Sequence, residues 1–177
     1  MDFTEKTLGV EQIYKGYIIS LEKIAVELPD GRISNRDVVR HPGASMVIPV
    51  MDDGKIIMVR QYRKAIEKAS LEMPAGKLDA GEEPLACAKR ELEEETGYIA
   101  QTFKHLATTD SAPGFTDEHI YIYLARGLKP GKMNLDSDEF IENETYSIDE
   151  LINMVLCGKI TDAKTINGVF LANNFLR

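Results

Sequence analysis

The strongest constraint on the fold is an acidic segment, residues 76–97, in which glycines bracket a run of glutamates. Pro84 suits the first turn of a helix, where its missing N–H costs nothing, and Gly97 suits a left-handed helix C-cap. The segment therefore predicts one helix behind a glycine-containing loop. Glutamates three and four residues apart repel one another on a helix by about 0.2–0.5 kcal/mol per pair, so a chain that keeps them usually supplies cations that offset the repulsion.

Helical geometry decides which of these carboxylates can act together. At about 100° per residue, Glu91 and Glu95 lie one turn apart on the same face with Glu94 beside them, whereas Glu93 points elsewhere. Arg90 precedes Glu94 by one turn and can pair with it. Two or three convergent carboxylates behind such a loop favour a hard, oxygen-seeking cation, above all Mg²⁺. An acidic solvated helix is the simpler alternative, but it leaves the fixed offsets of the glycines and the arginine unexplained.

The spacing within this segment resembles the signature of the Nudix hydrolase family. Every fixed position of that signature is present: Gly76, Glu82, Arg90, Glu91, Leu92, Glu94, Glu95 and Gly97. One position departs from it, because Tyr98 stands where the family has an aliphatic residue. An aromatic ring can fill such a packing position, so the departure carries little weight.

The resemblance implies a role for each charged residue. Glu91 and Glu95 would bind the essential metal, Mg²⁺ with Mn²⁺ as a substitute, and the carbonyl of Ala75 would join them. Glu94 would serve as an auxiliary ligand or as the partner of Arg90, and both are candidate catalytic residues.

Composition and charge narrow the class of protein. With 177 residues and 44% hydrophobic content, the chain suits one sizeable domain with a small extension. Its net charge of −8 argues against nucleic acid as a partner, because phosphate backbones are bound by an excess of Lys and Arg. The two cysteines, Cys87 and Cys157, suggest neither a disulfide framework nor a zinc motif. No apolar run approaches the roughly 18–20 residues of a membrane span, and the N-terminus lacks a signal-peptide pattern, so we expect a cytoplasmic protein without membrane contact.

Alternation of apolar and polar residues between turn signals predicts the strands. Residues 12–40 favour antiparallel hairpins that turn at Pro29-Asp30-Gly31, and residues 45–51 and 55–62 favour a second hairpin around Asp52-Asp53-Gly54. Later strands are predicted at residues 103–109, 119–125 and 139–147.

Three helices are predicted. The helix of the acidic segment should bury the stripe Leu85, Ala88 and Leu92. Ser147 and Glu150 have capping-box spacing ahead of a second helix that Gly158 ends. Thr161 is the expected cap of the third helix, whose apolar face should comprise Ala163, Ile166, Val169 and Phe170.

Strands and helices without regular βαβ alternation favour an α+β fold. The resemblance implies the Nudix type of α/β/α sandwich with a mixed sheet over residues 43–177. Residues 1–42 would then form a separate small antiparallel β-sheet, which in the related enzymes takes part in dimerisation and clasps the substrate.

Features outside the signature resemble the ADP-ribose pyrophosphatase branch of the family. Pro113 lies sixteen residues after Gly97, Arg63 ends the sequence VRQYR ahead of LEMPAG, and an acidic loop, LDSDEF, follows later. The N-terminal extension, which ends in NRDVVRHPGA, is the fourth likeness. The implied reaction is Mg²⁺-dependent hydrolysis of the pyrophosphate of ADP-ribose to AMP and ribose 5-phosphate, in which a carboxylate deprotonates the attacking water.

The branch usually carries its general base on the late acidic loop, where Asp136, Asp138 and Glu139 are the candidates. We favour Glu139, because it directly precedes Phe140-Ile141, the apolar pair that starts the next strand, and keep Asp138 as a further candidate. A solvated acidic turn is the alternative for each of them.

The same resemblance suggests which residues contact the substrate. Arg63 could grip a phosphate in bidentate fashion. Pro113 and Gly114 would shape a loop against the terminal ribose, and Glu118 would accept its hydroxyls or assist the metals. A solvated position at a strand end or in a loop is the plainer alternative.

Related enzymes exchange their N-terminal sheets between two subunits, so the resemblance implies a homodimer. Arg36 and Asp37 would then reach the partner subunit's nucleotide, and Tyr17 would offer a stacking face. Packing of Tyr17 in a core and solvation of Arg36 are the alternatives.

Two other functions compete with hydrolysis of ADP-ribose. The substrate could be another nucleoside-diphosphate sugar, for example a GDP-sugar, because the contacts that select the base cannot be located in one sequence. The chain could also be a catalytically silent nucleotide-binding module. Such modules tend to lose glutamates of the signature, whereas this chain keeps Glu91, Glu94 and Glu95.

Overall fold

The computed structural model of the chain describes residues 2–135, 137 and 139–176. The chain forms two compact units, Met1–Gly43 with Asp110–His119, and Ala44–Thr109 with Ile120–Arg177. The first unit thus takes in a short segment from the middle of the chain as well as the N-terminus. The domain boundary at residue 42 that the sequence suggests stays a prediction.

The first unit contains an antiparallel sheet in the order β1-β2-β3. Its strands are β1 Lys6–Lys15, β2 Ser20–Glu27 and β3 Ile33–Arg40. Gly31, with a φ of 84°, allows the tight turn between β2 and β3, so the hairpin predicted there is confirmed. Ile24 and Val26 are buried, whereas every residue of β1 is exposed.

The second unit contains two sheets, one in the order β10-β5-β6 and the other in the order β7-β4-β9-β8. The strands are β4 Ala44–Pro49, β5 Ile56–Arg63, β6 Lys68–Glu72, β7 Ala75–Lys77, β8 Tyr98–Asp110, β9 His119–Pro130 and β10 Ile141–Tyr146. Strand β4 runs parallel to β9 and antiparallel to β7, so the second of these sheets is mixed, as predicted.

The second hairpin predicted from the sequence, around Asp52-Asp53-Gly54, is wrong. The turn does form, since Met51 N–H donates to the Lys55 carbonyl at 2.8 Å. Beyond a single bridge between Val50 and Ile56, however, β4 and β5 part into different sheets. Strand β4 and the first half of β5 are buried throughout and lack the alternation of a half-exposed hairpin, so each strand takes an interior place in its own sheet.

Three α-helices complete the second unit: α1 Pro84–Thr96, α2 Ile148–Leu156 and α3 Ala163–Leu176. Helix α1 begins at Pro84 and ends at Gly97, whose φ of 72° is the predicted left-handed cap. Helix α2 begins with the predicted capping box of Ser147 and Glu150. None of the helices formed by the described residues is long and apolar enough to cross a membrane.

The cap predicted for α3 is wrong, and the apolar face predicted for it is correct at Ile166 and Val169 but wrong at Ala163 and Phe170. The cap is Asp162 instead of Thr161, because the Asp162 carboxylate accepts the Thr165 N–H at 3.0 Å. The buried residues are Thr165, Gly168, Val169 and Ala172, whereas Ala163 and Phe170 are exposed. The buried face of α3 is therefore rotated about the helix axis relative to the predicted face. Gly168 accounts for this, because it approaches the core so closely that a Cβ there would lie 2.4 Å from Met73 Sδ.

The predicted stripe of α1 is correct at two of its three positions. Ala88 and Leu92 are fully buried, but Leu85, in the first turn, is 38% exposed. The buried face includes Cys87 and is shifted toward the acidic residues that follow it.

The core of the second unit lies on both faces of β4 and β9. Alternate strand residues point to opposite faces. On one face the core residues include Met46, Ile48, Ile122, Leu124, Leu151 and Val169, the last two from α2 and α3. On the other face they are Val47, Tyr123 and Ala125, with Ala88 and Leu92 of α1. Each fully buried aliphatic side chain stabilises the fold by about 1.5–3 kcal/mol. Helices thus cover both faces of the mixed sheet, and the α+β fold with α/β/α layers is confirmed.

Candidate active site

Helix α1 carries two carboxylates on the face that it buries. Glu91 and Glu95 are only 9% and 3% exposed, and they lie beside Ala88 and Leu92 on the inner side of the helix. The sequence places both glutamates on one face, and the structure shows that this face is the inner one. Buried charges are retained when a partner of opposite charge compensates for their loss of hydration.

Strand β7 brings main-chain atoms against both carboxylates. The Ala75 N–H donates to Glu95 Oε2 at 3.0 Å. Gly76 lies so close to Glu91 that a Cβ built on Gly76 would be 1.9 Å from Glu91 Oε1. Glycine at this position therefore makes room for the carboxylate. Ala75 contacts Glu95 through its amide N–H. The role of the Ala75 carbonyl as a metal ligand stays a prediction.

Arg90 binds three glutamates of the acidic segment. Its Nε and Nη2 donate to Glu82 at 3.0 and 2.8 Å, and its Nη1 donates to Glu94 at 3.0 Å and to Glu91. The hydrogen bonds from Arg90 lower the pKa of Glu82 to about 2. Arg90 thus pairs with Glu94, as the spacing of one turn predicts, and also restrains Glu91. A cation bound by Glu91 would compete with this ion pair.

The donor set of the two buried glutamates fits a divalent cation. Burial, together with the nearby charge of Glu91, raises the pKa of Glu95 to about 8. Burial also raises the pKa of Glu91, although Arg90 opposes the rise. A cation between two such carboxylates would favour their ionised form. Among the described residues, no three His, Cys, Asp or Glu side chains already converge as a metal cluster. The fit therefore rests on the carboxylate pair with Glu94 beside it, a donor set that suits Mg²⁺ with its own water ligands.

A second charged cluster surrounds Glu72 at the end of β6. Arg63 donates to this carboxylate with Nε and Nη2 at 2.9 and 2.8 Å, and Lys164 of α3 donates to it as well. Burial alone would raise the pKa of Glu72, but the two cations outweigh burial and lower the pKa to about 2. The charge of Arg63 also acts to lower the pKa of Glu95. Arg63 is therefore within electrostatic range of Glu95.

Comparison with known proteins agrees with the geometry of this site. The model of the NUDIX domain matches residues 39–169, which is well over half of the chain. The chain belongs to the Nudix family. The family predicted from the acidic segment is thereby confirmed, and Nudix hydrolases generally act with divalent metal ions.

Relatives of this Nudix chain match it over almost its whole length. A methanol dehydrogenase activator of Bacillus methanolicus is 46% identical over 169 residues, covering 94% of this chain and 91% of that protein. An ADP-ribose pyrophosphatase of Bacillus subtilis (strain 168) is 46% identical over 163 residues, covering 91% of this chain and 88% of that protein. A crystal structure of an ADP compounds hydrolase matches with a TM-score of 0.88 and 22% identity, covering 99% of this chain and 96% of the other, and shows the same fold.

Glu139, the favoured candidate for the general base of this Nudix chain, lies within electrostatic range of the carboxylate pair. Its charge acts to raise the pKa of both Glu91 and Glu95. Strand β10 begins two residues later, at Ile141, and Asn143 of that strand donates to the Glu95 carbonyl at 3.2 Å. The side chain of Glu139 is exposed, so water has access to it. The other two candidates, Asp136 and Asp138, lie outside the described residues.

Three further candidates for substrate contact lie in the loop between β8 and β9, which belongs to the first unit of the Nudix chain. Pro113 and Gly114 are exposed there. Glu118 is half-buried, and its Oε1 lies 3.5 Å from His41 Nδ1. Their contacts with a ribose stay predictions.

The last two candidates of the Nudix chain lie on β3. Arg36 is half-buried and donates from Nε to Glu5 Oε2 at 3.0 Å. Asp37 is exposed and stands opposite Lys23 in the register with β2. Tyr17, in the connection between β1 and β2, is 95% exposed and is not a core residue. Contact of Arg36 and Asp37 with a nucleotide stays a prediction.

Glu72 and Lys164 were not predicted from the sequence. They are 92 residues apart, and nothing in the local pattern around either one indicates the other. A signal did exist for Glu72, because it interrupts the otherwise apolar run LEMPAG shortly before Gly76. A lone charge inside a buried strand calls for a partner elsewhere in the chain.

Proposed function

We propose that this Nudix chain hydrolyses the pyrophosphate of ADP-ribose with Mg²⁺ and releases AMP and ribose 5-phosphate. The observation that carries the proposal is the buried pair of Glu91 and Glu95, with the cation of Arg63 in electrostatic range of Glu95. The choice of substrate is supported by the B. subtilis ADP-ribose pyrophosphatase, with its 46% identity, and by Pro113 at its distance from Gly97.

The residues of α1 and β7 would hold the metal. Glu91 and Glu95 would be the main ligands, with Glu94 and the Ala75 carbonyl as further ones. Arg90 keeps Glu91 and Glu94 in a fixed orientation through its hydrogen bonds. When bound, Mg²⁺ supplies positive charge to the diphosphate and makes an attacking water more acidic.

Glu139 and Arg63 would act on water and substrate. The water oxygen bonds to phosphorus while Glu139 accepts the water proton, and the bridging P–O bond breaks with its electron pair kept by the departing phosphate. The guanidinium of Arg63 would bind a phosphate oxygen and neutralise its charge.

A panel of nucleoside diphosphates tests the proposal. The purified chain is incubated with Mg²⁺ and ADP-ribose, ADP-glucose, GDP-mannose, NADH or diadenosine polyphosphates, and the products are separated by chromatography. We expect ADP-ribose to be the preferred substrate and AMP with ribose 5-phosphate to be the products. Preference for a GDP-sugar would overturn ADP-ribose as the proposed substrate. Lack of turnover with every compound would overturn the proposed hydrolase activity.

The general base is tested by neutralising it. Glu139→Gln should lower kcat by about 10²- to 10⁴-fold, the usual contribution of general base catalysis, with little change in KM. The variant should also lose the acidic limb of the pH–rate profile, because no group remains to be deprotonated. Asp138→Asn serves as the matched variant. If Asp138→Asn loses activity and Glu139→Gln keeps it, the base is Asp138.

A homodimer is part of the proposal. Strand β1 pairs only with β2 among the described residues, and it exposes Leu8, Val10, Ile13 and Tyr14, each by about half its surface. An apolar edge strand of this length is a template for pairing with another chain. Light scattering should give a molar mass in solution that is twice the mass of one chain. Val10→Lys should lower this molar mass to that of the monomer. A monomeric wild type would contradict the dimer.

Subunit exchange and location complete the proposal. In the dimer, Arg36 and Asp37 would contact the partner subunit's nucleotide, while Pro113, Gly114 and Glu118 would face the terminal ribose. Nucleic acid is not a proposed partner, because the chain carries a net charge of −8. The free cysteines Cys87 and Cys157 suit the reducing conditions of the cytoplasm.

A further inference from the structure

The cluster around Glu72 has more partners than an ion pair needs. Glu72 is 2% exposed, yet it binds both Arg63 and Lys164. A single bidentate arginine satisfies both oxygens of a carboxylate. The additional cation, Lys164, is itself largely buried, with 14% of its side chain exposed. Desolvation of a third charged group is costly, so its presence calls for a reason beyond satisfying Glu72.

Lys164 belongs to a network that fixes the start of α3 against the end of β6. Its Nζ also binds Asp162 at 3.0 Å, and the same Asp162 oxygen accepts the Thr165 N–H. The Thr165 hydroxyl accepts the Met73 N–H at 2.9 Å. Met73 directly follows Glu72 and lies two residues before Ala75, whose N–H binds Glu95. The start of α3 is thus fixed to the strand segment that leads to the metal-binding candidates.

Arg63 is held by one edge of its guanidinium. Nε and Nη2 bind Glu72, and within the part of the chain that the structure describes, Nη1 makes no hydrogen bond. The side chain is 41% exposed and lines a cavity of about 670 Å³ together with Lys68, Glu72, Asp162 and Lys164. Glu72 therefore orients the guanidinium and leaves its second edge for a ligand.

The charges of the cluster show what Lys164 adds. Arg63 and Lys164 carry two positive charges, and Glu72 and Asp162 carry two negative charges, so the four groups cancel. Without Lys164 the remaining three carry one net negative charge. A negative cluster next to Arg63 would repel an anionic diphosphate and would hold the guanidinium more tightly to the carboxylates.

We propose that Lys164 is a positioning residue that keeps Arg63 available to a phosphate of the substrate by neutralising Glu72 and Asp162. Lys164 acts through Glu72 and has no contact with the reacting atoms. The proposal rests on the proposed function, because it assumes that Arg63 binds a phosphate of a nucleoside diphosphate.

Steady-state kinetics of charge variants test this role. Lys164→Met should raise KM for ADP-ribose by about tenfold or more while kcat changes little, because the metal-binding glutamates keep their places. Lys164→Gln, which keeps a hydrogen-bond donor for Glu72 but no charge, should give the same rise in KM. Lys164→Arg should restore KM to within about threefold of the wild type.

The matched control is Lys68→Met. Lys68 lines the same cavity and carries the same charge, but it binds the Thr161 hydroxyl instead of a carboxylate. We expect KM to change by less than about twofold. An equal rise in KM for Lys68→Met would overturn the proposal in favour of a general effect of charge in the cavity. An unchanged KM for Lys164→Gln in a folded variant would overturn it as well.

A binding measurement separates this proposal from the proposed function. Inorganic pyrophosphate is titrated into each variant by calorimetry in EDTA, so the result does not depend on catalysis or on metal. Weaker binding to Lys164→Gln than to Lys68→Met supports the role of Lys164, and equal binding overturns it. Failure of the wild type to hydrolyse ADP-ribose would overturn the proposed function alone.

Discussion

Glu95→Gln is expected to lower kcat/KM for ADP-ribose by at least about 10³-fold at saturating Mg²⁺, since a metal ligand supports several kcal/mol of transition-state stabilisation. Glutamine has nearly the same volume as glutamate, and its amide oxygen can still accept the Ala75 N–H. The substitution therefore removes the charge that would hold the cation and little else. Initial rates over a range of Mg²⁺ concentrations measure the effect.

The control for Glu95→Gln is Glu93→Gln on the same helix. Glu93 is half-buried and accepts the Lys132 N–H at 3.2 Å, away from the buried pair. Its neutralisation removes the same charge from α1 and should change kcat/KM by less than about threefold, as for an ordinary surface charge. If Glu95→Gln keeps full activity at limiting Mg²⁺, Glu95 is not a ligand of the essential metal.

The same variant should gain stability in the absence of metal. The pKa of Glu95 in the folded protein, about 8, is higher than its ordinary value of 4.5, so folding favours the protonated carboxyl. Between pH 4.5 and about 8, Glu95 is ionised in the unfolded chain but still protonated in the folded protein. The metal-free fold therefore loses stability as the pH rises through this range. In EDTA we expect Glu95→Gln to melt at a higher temperature than the wild type at pH 8 and at nearly the same temperature at pH 5. Loss of activity together with gain of stability would exclude misfolding as the cause of the lost activity.

The acidic segment allowed the sequence to predict the part of the site that is local in the chain. The start of α1 at Pro84, its end at Gly97 and the shared face of Glu91 and Glu95 all follow from residue type and helical spacing. The pairing of Arg90 with Glu94 follows from the same geometry. Interactions within two turns of one helix are determined by short-range geometry, which a sequence pattern contains.

Long-range contacts limited the rest of the prediction. The signature places Gly76 fifteen residues before Glu91, but only the fold shows that the two are in contact and why glycine is needed. Pairing of Lys164 with Glu72 depends on where α3 docks, and α3 docks through Gly168, which was not among the expected face residues. The hairpin of β4 with β5 was predicted wrongly because β4 and the first half of β5 are buried on both faces and have no alternation that would define a neighbouring strand.

Gly76→Ala is expected to reduce kcat/KM by about 10²-fold, although it adds only one methyl group. The new Cβ would lie 1.9 Å from Glu91 Oε1 and 2.1 Å from Glu91 Cδ, so the carboxylate must move by more than an ångström. A displacement of about 1 Å in a catalytic constellation can lower a rate by about 10²-fold. Because the group that moves is a side-chain carboxylate and not the backbone, we expect the free energy of unfolding to fall by only about 1 kcal/mol, the low end of the cost of overpacking.

The metal dependence of Gly76→Ala distinguishes displacement of Glu91 from a general loss of structure. The Mg²⁺ concentration for half-maximal activity should rise about tenfold or more, since a ligand has moved while the other buried glutamate keeps its bond to Ala75. Gly9→Ala is the matched control for metal dependence, because no described atom of the chain lies within 4 Å of the Cβ that it adds, and it should leave the Mg²⁺ requirement unchanged. Full activity and an unchanged Mg²⁺ requirement in Gly76→Ala would mean that Glu91 binds no metal from the position it has beside Gly76. Reduced activity together with a higher Mg²⁺ requirement would mean that the signature needs glycine at position 76 because the Glu91 carboxylate binds the metal from a place directly beside it.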